Sequence, residues 1–167
     1  MSQIARISSG APWEPVAAYS RAVKAGDFVA VSGTTAIDER GLVVGGGQMY
    51  VQARQTLLNI RRALERLGLS MRDVVRTRMF VTDISRFAEA ARAHREFFAD
   101  APPATSMIEI KRLVHPDMLI EIEADAYAGS KAAAPPARAA ARSPKTSVKA
   151  KPKAMKKKPV PKSKKRR

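Results

Sequence analysis

The chain has 167 residues, no cysteine and two histidines, which excludes disulfides, a cysteine nucleophile, an iron–sulfur cluster and cysteine-ligated zinc. Its net charge of +16 divides unevenly: residues 1–130 hold 16 basic and 15 acidic side chains, whereas residues 131–167 hold 15 basic and none acidic. A near-neutral domain over 1–130 followed by a cationic segment over 131–167 is expected, with a core that is mostly aliphatic because aromatics make up only 5%.

A short strand is expected near Ile4–Ile7. Trp13, after Ala11-Pro12, reads as a loop residue. Residues 15–23 mix small and apolar types up to the turn signal Lys24-Ala25-Gly26-Asp27, and Phe28–Thr34 reads as the second strand of a hairpin. Asp38-Glu39-Arg40-Gly41 is a turn and Gly45-Gly46-Gly47 a hinge, since the Gly-Lys-Ser/Thr of a phosphate loop is absent. Met49, Ala53, Leu57, Ile60, Leu64 and Leu67 recur at spacings of 4, 4, 3, 4 and 3, the apolar stripe of a helix over about 48–67, with Gly68 as its stop. Val74 to Val81 is β-rich. Asp83 or Ser85 caps a second helix ending at Phe98, with an expected buried stripe of Phe87, Ala90 or Ala91, His94, and Phe97 or Phe98. His94 on that stripe reads as a satisfied core or interface residue, and His115 as a loop residue. Ser106–Leu113 is a strand. Met118–Ala126 is another and alternates strictly: Ile120, Ile122, Ala124 and Ala126 one way, Glu121, Glu123 and Asp125 the other. The order defines an α+β fold, a mixed sheet backed by two helices on one face, whose second face is left for association between copies.

From Lys131 onward no periodicity remains; six of the 11 prolines fall here, and lysine replaces arginine as the dominant base. The composition predicts disorder. Lys156-Lys157-Lys158 and Lys164-Lys165-Arg166-Arg167 are the densest charge and suit either non-specific contact with nucleic acid through phosphates or a solubilising extension. The absence of aromatics speaks against base stacking. No run of 18 apolar residues exists and the N-terminus lacks a secretory pattern, so a cytoplasmic protein without membrane contact is expected.

Several segments taken together resemble the RidA family, also called YjgF. They are Phe28–Thr34 with its Ser-Gly, Gln52-Ala53-Arg54-Gln55, Val75–Asp83, Phe97-Phe98, Pro103-Ala104, and Ile120-Glu121-Ile122-Glu123-Ala124, and they span roughly residues 3–128. The resemblance implies a chorismate-mutase-like homotrimer with clefts between subunits. It also implies hydrolysis of reactive imines and enamines such as 2-iminobutanoate, with no cofactor or metal. Carried over by position, Glu121 corresponds to the glutamate that positions water, Tyr19 to a pocket tyrosine, and Ser32-Gly33 to the Ser-Gly that shapes the pocket. The family's Pro-Ala-Arg-Ser, whose arginine grips a substrate carboxylate, reads here Pro103-Ala104-Thr105-Ser106. Ala91 and Met107 stand where active members often carry Asn and Cys. Losing a charge-assisted fork costs about 1.5–3 kcal/mol of binding, roughly 10–150-fold.

Two readings therefore stand side by side for several residues. Glu121, Glu123 and Asp125 form either a solvated or ion-paired acidic face or, for Glu121 alone, the base of a cleft. Arg78, which shares a strand face with Arg76, either compensates that acidic face or supplies the anion-binding charge that Thr105 lacks. The expected function is that of a RidA-like protein binding or hydrolysing a small imine, enamine or carbonyl metabolite, with Glu121 orienting water and Tyr19, Gly33, Thr105 and Ser106 lining the cleft. The alternative is a catalytically silent trimer tethered to nucleic acid by its tails. That tethering requires affinity to fall with salt at a log–log slope of about −0.7 to −0.9 per phosphate contacted and to vanish without residues 131–167.

Overall fold

The computed structural model describes residues 4–129. In chain order these form β1 (Ile4–Ile7), α1 (Trp13–Ala17), β2 (Ala22–Ala25), β3 (Phe28–Thr34), α2 (Met49–Glu65), β4 (Val74–Val81), α3 (Phe87–Phe98), β5 (Ala104–Glu109) and β6 (Ile120–Tyr127). Short 3-10 turns at Met71–Asp73 and Ile84–Arg86 lead into β4 and α3. One six-stranded sheet runs β1-β2-β3-β6-β4-β5. The β4–β5 pair is parallel and every other pair antiparallel. Parallel neighbours need a crossover, and α3 supplies it between β4 and β5. The α2 crossover carries the chain from β3 past β6 to β4.

The alternation in β6 decides which side is buried. Ile120, Ile122, Ala124 and Ala126 are fully buried, while Glu121, Glu123 and Asp125 remain partly exposed on the other side. Met49, Ala53, Leu57, Ile60 and Leu64 of α2 pack with Ala90, Ala93 and Phe98 of α3 against Val29, Val31, Met79, Val81 and the β6 row. Gln52 ties this layer to the site-bearing strand. Its Nε2 donates to the carbonyls of Gly46 and Asp117, both at 2.7 Å, and its Oε1 accepts from Leu119 N–H at 2.8 Å. A buried amide satisfied on both ends is stable, and it sets the height at which β6 enters the sheet. Helix α2 ends as the sequence predicts. Leu69 N–H bonds to Leu64 O and Gly68 N–H to Glu65 O, the paired bonds of a Schellman motif, with Gly68 at φ +75°.

The structure departs from the sequence reading in four places. Residues 15–23 are not one strand. Trp13–Ala17 form the helical turn α1, so Trp13 begins a helix, and Ala18 at φ +53° turns the chain into the shorter β2. Strand β5 is Ala104–Glu109 and stops short of Leu113, because β4, its only partner, ends at Val81 opposite Glu109. Phe87 is 55% exposed, and Ala93 takes its expected place in the core. Phe87 lies about 60° round the helix from Ala90, on the side away from Ala93, and the buried residues of the helix are Ala90, Ala93 and Phe98. Neither Asp83 nor Ser85 caps α3 itself; Asp83 caps the 3-10 turn before it, accepting from Ser85 N–H at 3.0 Å.

Candidate functional site

Three pieces of chain meet at an irregularity in the sheet. Between Val31 and Thr34 the β3–β6 register shifts, leaving Ser32 and Gly33 opposite Glu123 as a β-bulge. Glu121 lies against this bulge. A methyl group at residue 33 would run into its carboxyl, whose carbon would be only 2.8 Å away, so glycine is what lets the two strands seat the acid here. Ser32 Oγ donates to the Ser20 carbonyl at 2.8 Å, which ties the bulge to the segment entering β2.

Arg21, in that same segment, is buried and gathers the site around its guanidinium. One terminal nitrogen donates to the Gly33 carbonyl (2.7 Å), to Thr34 Oγ1 (2.9 Å) and, at greater length, to the Ser32 carbonyl (3.3 Å). The other donates to the Tyr19 hydroxyl at 3.1 Å, and the guanidinium carbon stands 5.5 Å from the Tyr19 ring centre. These partners are neutral oxygens, so the positive charge is not cancelled by contact and is felt at both Glu121 and Glu14. Burial raises the Glu121 carboxyl above its ordinary value, the neighbouring Glu123 carboxylate adds to the rise, and Arg21 opposes it in part. A carboxyl raised in this way holds its proton more readily than a free one and is a stronger base once ionised.

Arg78 lies farther along the same side of the sheet. Its two terminal nitrogens reach Glu123 at 3.3 Å and Asp125 at 3.2 Å, so the side chain compensates the acidic row of β6. Ser106 is in register with Arg78 on β5 and is exposed.

Thr105 sits on the opposite side. It is in register with Thr77 of β4, which pairs with the helix-facing Ala124. The Thr105 and Thr77 hydroxyls are 2.9 Å apart, and Thr77 Oγ1 is 3.0 Å from His94 Nε2. Thr105 Oγ1 also donates to the Pro103 carbonyl at 3.3 Å. His94 stacks on Phe98, ring centres 4.4 Å apart, and burial lowers its imidazole below the ordinary value. It is thus the satisfied residue the helical stripe predicts, with a hydroxyl partner that pattern alone does not reveal.

The sequence-predicted residues therefore fall into two groups. Tyr19, Ser32, Gly33 and Glu121 come together at the bulge, with Arg78 and Ser106 on the same side of the sheet; Thr105 faces the helix side at the β5 edge, beyond β4. The basic residues Lys156, Lys157, Lys158, Lys164, Lys165, Arg166 and Arg167 lie outside the described residues. Sequence reasoning missed Arg21 and Thr77. A basic residue beside a strand start ordinarily reads as solvent-facing, and only its place two residues after Tyr19 hints otherwise. Among the described residues no three His, Asp or Glu side chains converge as a metal site, and no helix is long and apolar enough to cross a membrane.

A mixed sheet backed by two helices is the arrangement the resemblance implies, and comparison with known proteins agrees. The family model described as Endoribonuclease L-PSP matches residues 9–128. A RutC family protein of Pyrococcus horikoshii is 38% identical over 114 residues, 68% of this chain and 90% of that one. The 3-aminoacrylate deaminase RutC of Acinetobacter baylyi is 34% identical over 113 residues, 68% of this chain and 89% of its own length. Among solved structures, a Mycobacterium tuberculosis member of the YjgF/YER057c/UK114 family superposes with a TM-score of 0.69 at 42% identity, covering 75% of this chain and 99% of that one. The chain belongs to the RidA/YjgF family.

Proposed function

We propose that this protein hydrolyses a small imine or enamine in a cleft completed between two copies of the chain, and that Glu121 orients and deprotonates the attacking water. The observation that carries this reading is the Glu121 carboxyl, raised by burial and seated on the Ser32-Gly33 bulge beside Arg21 and Tyr19. An enamine first takes a proton at carbon to become the imine. Water then adds to the C=N carbon, the proton it loses passing through the glutamate to the nitrogen. The resulting amino alcohol collapses as the hydroxyl proton is transferred to the departing nitrogen, giving a carbonyl and ammonia. The relative named as a 3-aminoacrylate deaminase acts on an enamine, which supports the reaction class.

The cleft draws on two copies because Glu121 and Thr105 lie on opposite sides of one sheet with β4 between them, and a single small molecule cannot touch both in one chain. Helices α2 and α3 both pack on the opposite face, which leaves the Glu121 side of the sheet for association, and a trimer built on it would bring a neighbour's β5 edge to the bulge. Thr105 replaces the family's arginine, so a free carboxylate finds no fork there. Arg78, already shared by Glu123 and Asp125, binds an anion only by giving one of them up.

Hydrolysis of 2-iminobutanoate generated in situ tests this. Thr105→Arg is expected to raise kcat/KM by about 10–150-fold, the worth of a charge-assisted pair. In that background Glu121→Gln is expected to lower kcat by about 100-fold or more. An arginine variant as slow as the wild type, or a glutamine variant as fast as its parent, would refute the assignment.

A further inference from the structure

The donor and acceptor count along Pro103, Thr105, Thr77 and His94 has a direction. Thr105 Oγ1 has one proton, and the Pro103 carbonyl at 3.3 Å can only accept it. With that proton spent, the 2.9 Å contact between hydroxyls requires Thr77 to donate to Thr105. The Thr77 proton is then spent too, so the 3.0 Å contact to His94 requires the imidazole Nε2 to carry hydrogen and donate. Every proton is used once in the order His94, Thr77, Thr105, Pro103. The reverse order leaves the Thr105–Pro103 contact without a hydrogen. Burial favours the neutral imidazole, and the hydrogen-bond order places its N–H on Nε2.

This chain ends at a replaceable partner. Thr77 is fully buried and His94 stacks on Phe98, so both are fixed. Thr105 is exposed on β5, the edge strand, and its bond to Pro103 is the longest of the three. An acceptor arriving at the edge at ordinary distance gains more from the Thr105 proton than Pro103 does, and the donors behind it strengthen the bond. We propose that His94, Thr77 and Thr105 form a neutral-acceptor subsite, in which the Thr105 hydroxyl donates to an uncharged carbonyl oxygen of the ligand and His94 is the positioning residue that keeps it a donor. The ligand class is then a small imine, enamine or carbonyl compound whose distal end is an amide, ester or ketone rather than a carboxylate. This rests on the cleft reading above and names the end of the substrate that reading leaves open.

The test is binding of 2-oxobutanamide and 2-oxobutanoate to the full chain by calorimetry. The wild type is expected to bind the amide about tenfold more tightly than the acid. Thr105→Val is expected to lose about that factor on the amide alone. His94→Phe keeps the ring and its stacking but removes the donor; it should weaken the amide several-fold although residue 94 does not touch the ligand, and His94→Gln, whose amide nitrogen falls near Nε2, should restore it. Two-bond ¹H–¹⁵N correlation of the imidazole should show hydrogen on Nε2. Equal affinity for the two probes in the wild type, an amide affinity untouched by Thr105→Val, or hydrogen on Nδ1 overturns the subsite and leaves the Glu121 cleft standing. Binding of neither probe by the wild type or by Thr105→Arg overturns both.

Discussion

At the scale of single residues, Glu121 carries a contradiction: it is placed where burial favours its protonated form, yet its proposed work requires it to give up that proton. Because its pKa is raised in the folded chain, the stability it contributes is complete below the ordinary carboxylate value of 4.5 and is lost as pH rises through the raised value. Glu121→Gln removes the titration. The variant is expected to match the wild type in thermal midpoint at pH 4 and to exceed it increasingly toward pH 8, read by circular dichroism at both ends; a gap that widens toward acid would reverse the assignment. The gain in stability would accompany the loss in turnover, the exchange expected of a residue strained for function. Arg21 sits on the other side of that balance. It opposes the rise at Glu121 while spending its hydrogen bonds on Ser32, Gly33, Thr34 and Tyr19, so it shapes the bulge and tempers the acid at once.

At the scale of elements, what could be read from sequence was what repeats. The β6 alternation and the α2 stripe each contain several residues obeying one period, and both appear in the structure with nearly the expected limits. Gly68 was readable because it closes such a stripe, and it makes a clean test. Gly68→Ala places a side chain at φ +75°, where an L-residue is disfavoured, and should cost roughly 1–2 kcal/mol, seen as a lower urea midpoint with an unchanged slope. An unchanged midpoint would mean that the end of α2 relaxes into another turn. The five residues of α1 are too few to establish a period, and β5 borrows its length from β4, so neither end could be found by pattern. The site was legible in the same partial way. Glu121, Ser32, Gly33 and Tyr19 are proposed from the family resemblance, and the structure brings them together at the bulge. Arg21, Thr77 and the role of His94 depend on which strands neighbour one another, and no local pattern encodes that.

At the scale of the molecule, a cleft shared between copies has a signature that a cleft within one chain lacks. Chains carrying both Thr105→Arg and Glu121→Gln lack the acid, and wild-type chains lack the arginine. Mixed and reassembled, they should form clefts with an arginine from one and Glu121 from the other, so hydrolysis of 2-iminobutanoate should exceed the sum of the separate preparations. Activity that stays at that sum would place the whole site within one chain. The two-sided strand β6 has a different consequence, for how errors are disposed of. One row of its side chains builds the core and the interleaved row carries three carboxylates, Glu121 among them. A slip of one residue against β3 and β4 would press three carboxylates into the helices and turn four apolar side chains outward. A molecule with a misaligned acid therefore cannot persist as a folded but inactive protein. The fault that would displace Glu121 also unfolds the chain, and unfolded chains are removed by proteolysis.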